Sequence, residues 1–139
     1  MGHVETWLEE LGEPVCRRLL AAATIGRLAV VVDGHPEVFP VNHVWDEPSG
    51  CVVFPSNART KLHAATAGAP VAFEVDGLDD GGRSAWSVVV RGMADELHDP
   101  EAVARVAAAR VPLWAVGPYT HWLRIHPDHV SGRRISTLP

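Results

Sequence analysis

At 139 residues, with 47% hydrophobic and 21% charged residues, the chain has the size and balance of one globular domain with a real core. Twelve Lys and Arg against seventeen Asp and Glu give a formal net charge of −5. No basic cluster exceeds a pair, which argues against a non-specific nucleic-acid binder. No apolar run reaches bilayer-crossing length, no signal peptide opens the chain, and Cys16 and Cys51 are isolated, so two free buried thiols in a reducing cytoplasm are expected.

In chain order, residues 1–12 read as a weak helical start, with Trp7, Leu8 and Leu11 on one side. Residues 13–23 predict a helix, because Val15, Leu19 and Ala22 recur at helical spacing. A Val-rich strand over 27–32 runs into Asp33-Gly34, the strongest short hairpin signal in the chain. A return strand over 37–45, a turn at 48–50 and a strand over 51–54 would complete a three-strand antiparallel meander. Pro55, Ser56 and Asn57 are expected to break that last strand. Residues 58–67 are rich in helix formers, and Gly68 is placed to end them.

Residues 70–75 predict another strand, followed by an exposed acidic turn over 79–82. A long strand over 85–97 contains Gly92, a sign of a bulge or bend. Asp99-Pro100-Glu101 supplies a cap, a first-position proline and a first-turn acid, so a helix should run to about residue 110. Residues 111–120 read as a loop. Segments 121–125 and 129–135 form a final strand bent near Pro127. The expectation is one domain over 1–139, mainly β (α+β), with about six antiparallel strands in a small closed or split barrel and two or three short helices.

One turn carries most of the legible chemistry. Ser56, Asn57, Arg59, Thr60 and Lys61 gather where a strand should enter a helix, and two cations with two hydroxyls there make a candidate phosphate cradle. The alternative is ordinary helix capping by Ser56 or Asn57, with both cations solvated. His121, His126 and His129 crowd the last strand. His121 and His126 stand an odd number of residues apart and face opposite sides, so no metal site is expected. No Ser/His/Asp constellation or paired carboxylates are legible, and Asp79 and Asp80 read as a solvated turn.

Several short motifs, in order along nearly the whole chain, resemble those of the pyridoxamine 5′-phosphate oxidase-like superfamily, and within it a short branch related to nitroimidazole-reductase-like proteins. They are Ile25-Gly26-Arg27-Leu28-Ala29, Pro40-Val41-Asn42-His43, Thr60-Lys61-Leu62, Trp86-Ser87-Val88-Val89-Val90-Arg91-Gly92 and His121-Trp122-Leu123-Arg124-Ile125. The resemblance implies a six-stranded antiparallel split β-barrel, and a homodimer with FMN at the subunit interface, a deazaflavin being the other cofactor of that kind. It implies that Val41, Asn42 and His43 meet the flavin ring, chiefly through their backbone. It also implies that Ser56, Arg59, Thr60 and Lys61 hold the phosphate, the turn already singled out above.

His43 is the candidate proton donor beside such a ring, or else a strand residue with a satisfied side chain. Trp114 and Trp122 are candidates for a stacking wall, against the ordinary role of tryptophan as a core or interface anchor. Residues 131–139 do not match the substrate-binding C-terminal segment of a true pyridoxamine phosphate oxidase, so vitamin B6 oxidation is not carried over. What the resemblance implies is an FMN-dependent oxidoreductase acting on a small organic molecule, with NAD(P)H as electron donor and no nucleic-acid or membrane partner. The alternative is a non-enzymatic carrier of flavin, deazaflavin or haem.

Overall fold

The computed structural model describes residues 5–57, 59–109 and 120–137, and only the backbone of Asp80. The elements are β1 (Thr6–Leu11), α1 (Glu13–Ala22), β2 (Ile25–Val32), β3 (His35–Asn42), β4 (Val44–Asp46), β5 (Cys51–Asn57), α2 (Lys61–Thr66), β6 (Pro70–Asp79), a 3-10 turn (Asp80–Gly82), β7 (Ser84–Glu96), α3 (Pro100–Ala107) and β8 (Thr120–Thr137). All eight strands join one antiparallel sheet in the order β3-β2-β6-β7-β8-β5-β4, with β1 also paired to β8.

β3 and β4 are separated by His43 alone, yet they lie at opposite ends of that order. The sheet must therefore curl until its two ends meet, which makes it a split barrel. β2 pairs with β3 through the Asp33-Gly34 turn, where both residues adopt positive φ (51° and 78°), as a two-residue hairpin requires.

Burial follows from this curvature. β2 alternates, with Leu28 and Val30 inward and Arg27, Ala29 and Val31 outward. β5 does not alternate; it is buried from Cys51 to Ser56. Val52 and Phe54 face the barrel core with Leu28, Phe73, Val88, Val90, Leu123 and Ile125, while Cys51 and Val53 face a second core under α3 with Leu97, Ala102, Val106 and Trp122. A strand covered on both faces reads as a continuous apolar run. α1 seats Cys16 and Leu20 in the barrel core, and both cysteines are free and buried. No helix among the described residues is long and apolar enough to cross a membrane.

The split barrel and its short helices are as expected, but several parts differ. There are eight strands, not six. The described part of the N-terminal segment is strand β1, because β8 extends far enough to pair Leu8 with Ile135 and Leu11 with Gly132. The three-strand meander is two hairpins at opposite ends of the sheet, β2–β3 and β4–β5. Pro55, Ser56 and Asn57 do not break β5, since β8 pairs with all three. That leaves α2 only six residues. The bend at Gly92 is present: the β7–β8 register shifts between Arg91 and Gly92, leaving Asp128 as the extra residue opposite.

Candidate cofactor site

Among the described residues β3 ends the sheet, and β2 is the one strand paired with it. Pro36 and Pro40 suit such an edge, having no N–H to leave open. At its C-terminal end Val41 and Asn42 are buried, and Asn42 Nδ2 donates to the Thr24 carbonyl at 3.3 Å. His43 follows with no exposed surface. Its backbone N–H donates to Thr24 O at 3.2 Å, its Nε2 donates to Leu20 O at 2.9 Å, and its ring meets Phe73 edge-on at 4.8 Å. Burial pushes the His43 pKa down, so the ring is neutral and carries its proton on Nε2. The ring is only half satisfied: its Nδ1 is buried with no hydrogen-bond partner among the described residues.

The turn after β5 is built by its own side chains. Asn57 Oδ1 accepts from Arg59 N at 3.0 Å, and Thr60 Oγ1 donates to Asn57 O at 2.7 Å. Thr60 caps α2 by accepting from His63 N at 3.2 Å, so Thr60 rather than Ser56 or Asn57 is the cap. Ser56 Oγ lies 3.3 Å from Thr60 Oγ1 and is buried. A helix of one and a half turns contributes little macrodipole, so any anion here relies on side chains. Arg59 and Lys61 are exposed, and among the described residues neither forms an ion pair. Two adjacent hydroxyls flanked by two uncommitted cations are a donor set that fits a phosphate ester. β3 and β5 come into contact, and α2 packs against β2 and β5.

Trp122 is 6% exposed and packs in the core under α3, the anchor role. Trp114 lies outside the described residues. His121 does not group with His126 or His129. It hydrogen-bonds Glu96 through Nδ1 and stands edge-on to His63, with ring centroids 5.0 Å apart. His126 turns to the other side, to Asp95 at 3.2 Å. The His121 hydrogen bond holds the Glu96 carboxyl below its usual range. The grouping of His63 and Glu96 with His121 was missed from sequence. No spacing signals it, because α2, β7 and β8 meet only through the sheet.

An antiparallel sheet curled into a split barrel, with a hydroxyl- and cation-bearing turn after β5, defines the class: a split-barrel domain with a candidate phosphate cradle. The profile of the family described as pyridoxamine 5′-phosphate oxidase matches residues 13–134. The chain belongs to that family, as its motifs suggested. It is 37% identical over 131 residues to Rv0080, an uncharacterized protein of Mycobacterium tuberculosis, spanning 91% of this chain and 84% of that one. It is similar to the solved FAD binding protein from Mycobacterium smegmatis, with TM-score 0.80, 33% identity and coverage of 92% of this chain and 98% of that one. Its fold is also that of a Bacteroides thetaiotaomicron protein provisionally assigned to 5-nitroimidazole antibiotic resistance, with TM-score 0.69, 11% identity and coverage of 99% and 96%.

Proposed function

We propose that this chain is a cytoplasmic, homodimeric flavoprotein that acts as an oxidoreductase on a small organic molecule, with NAD(P)H as electron donor. The observation that carries the cofactor reading is the pair of cations, Arg59 and Lys61, without an ion-pair partner among the described residues, beside the Ser56 and Thr60 hydroxyls in a family member whose relative is described as an FAD binding protein. FMN is the proposed cofactor. FMN and the FMN half of FAD carry the same first phosphate, so one turn serves either.

In this reading Lys61 and Arg59 neutralise the phosphate, Ser56 donates to it, and Thr60 donates to it only by exchanging its bond to Asn57 O. The C-terminal end of β3, Val41 and Asn42, meets the flavin ring. The bound flavin supplies hydride transfer, while the protein supplies orientation and electrostatics. His43 supports the ring site by fixing the β3–β4 corner rather than by moving a proton.

A carrier without turnover is the second reading. It is favoured by His43 being sealed in the core, which leaves the 41–43 stretch with no side chain to donate a proton. Titration of the purified chain with FMN, FAD and riboflavin, then anaerobic addition of NAD(P)H, tests both. Tight FMN or FAD binding with bleaching, and recovery on adding an acceptor, supports the oxidoreductase. Tight binding without bleaching supports the carrier. No flavin binding overturns both.

A further inference from the structure

We propose that His63, Glu96 and His121 form a binding site for one divalent transition-metal ion, adjoining the phosphate cradle but sharing no ligand side chain with it. The three residues come from α2, the end of β7 and the start of β8, and one ligand atom from each lies within 4.8 Å of the others. All three are half-buried. His121 Nδ1 already meets Glu96 Oε1, and the His63 and His121 rings stand at 72° with their centroids 5.0 Å apart.

A histidine–carboxylate contact by itself is an ordinary ion pair. His63 makes this group different. Its Nδ1 is buried and has no hydrogen-bond partner among the described residues, although buried ring nitrogens are normally satisfied. No hydrogen bond within the group explains why that ring is held against the other two. A fourth donor stands at the rim, with His98 Nε2 3.5 Å from Glu96 Oε2.

Two imidazoles and one carboxylate select a borderline ion such as Zn²⁺ or Fe²⁺ over Mg²⁺ or Ca²⁺, which take oxygen ligands. Bonds of about 2.0–2.2 Å to one ion bring tetrahedral donors to about 3.4 Å apart, so the His121–Glu96 contact must open by about 1 Å while the wider separations close by a similar amount. Rotation of half-exposed side chains supplies that. A fourth position remains for water or His98, the arrangement of an open metal site.

Zinc is the probe. The chelator-treated, flavin-free full chain is titrated with Zn²⁺ by calorimetry, and with Co²⁺ by absorption. One zinc per chain is expected, with an intense four-coordinate cobalt spectrum. Affinity should fall roughly tenfold or more in each of His63→Ala, His121→Asn and Glu96→Gln, and stay unchanged in His129→Ala. Thermal melting checks that each variant folds. If His63→Ala does not fold, the half-exposed His121 and Glu96 variants decide. Non-saturable binding, or affinity indifferent to His121→Asn and Glu96→Gln, overturns the proposal, as does equal loss in His129→Ala. None of these measurements involves Ser56, Arg59, Thr60 or Lys61, so failure here leaves the flavin reading untouched.

Discussion

Arg105 on α3 grips Asp46 at the end of β4 with both arms of its guanidinium, Nε to Oδ1 at 2.7 Å and Nη2 to Oδ2 at 2.8 Å. Asp46 is 4% exposed, and Ser49 Oγ donates to the same carboxylate. The Arg105 hydrogen bonds hold the Asp46 carboxyl below its usual range despite burial. A depressed folded pKa contributes stability that is present above the unfolded value, about 3.9, and is lost as pH falls through the folded value. Asp46→Asn should therefore melt below wild type at neutral pH, and the gap should narrow in strong acid. Melting curves against pH check this; a gap independent of pH means the pair does not titrate as described.

His43 adds a second acid sensitivity in a different window. Burial lowers its folded pKa, so below about 6.5 the unfolded chain takes up a proton that the folded chain refuses. Stability present above about 6.5 should fall by up to about 1.4 kcal/mol per pH unit until the folded pKa is reached. In His43→Gln, which keeps a polar side chain but cannot titrate, urea unfolding between pH 7 and pH 5 should lose that slope. An unchanged slope would assign it to other histidines.

Gly92 lies where β7 passes the β8 bulge, and a Cβ there would sit 1.9 Å from the His126 carbonyl oxygen. The obstacle is backbone, which cannot rotate aside. Gly92→Ala should cost at least about 1–3 kcal/mol, the range for overpacking, and lower the urea midpoint. A wild-type midpoint would mean that the bulge shifts freely.

The proposed dimer has a matching surface. Val31 and Val38 are 65% and 62% exposed, Ala29 pairs with Val38, and Ala29 pairs on its other side with Ala72, so β2, β3 and β6 present an apolar outer face. Obligate dimers bury such faces. Light scattering at micromolar concentration should give the mass of two chains for wild type and of one chain for the Val31→Glu, Val38→Glu double variant. A monomeric wild type would remove the dimer, and with it any interface flavin site.

Lys61 separates the cradle from ordinary capping. A charged hydrogen bond is worth roughly 1.5–3 kcal/mol, so Lys61→Ala should weaken FMN by about ten- to hundredfold and leave riboflavin, which lacks the phosphate, almost unaffected. Flavin fluorescence titrations at fixed salt measure both. Equal losses would assign Lys61 to folding or to the ring site, and no loss for either would move the phosphate elsewhere.

The signals legible in sequence were local ones. The Asp33-Gly34 turn, the Asp99 cap with Pro100 and the break at Gly92 each depend on a few neighbouring residues, and each is present. The Ser56–Lys61 turn was legible for the same reason, because its hydrogen bonds run between residues at most four apart. The segment around Thr6–Leu11 was misread as helical, since only pairing with distant Gly132–Thr137 makes it a strand. β5 was cut short because Pro55 reads as a breaker, whereas β8 holds it in register.

Alternation, turn chemistry and caps in the sequence alone determined that this chain is an antiparallel β-barrel domain with short helices, because those rules act over a few residues. Tertiary structure decided the rest. It set β3 and β4 at opposite ends of the sheet, sealed His43 and Trp122 in cores, and brought His63, Glu96 and His121 together from three elements. Such contacts join residues far apart in the chain, and they arise only once the whole sheet has curled.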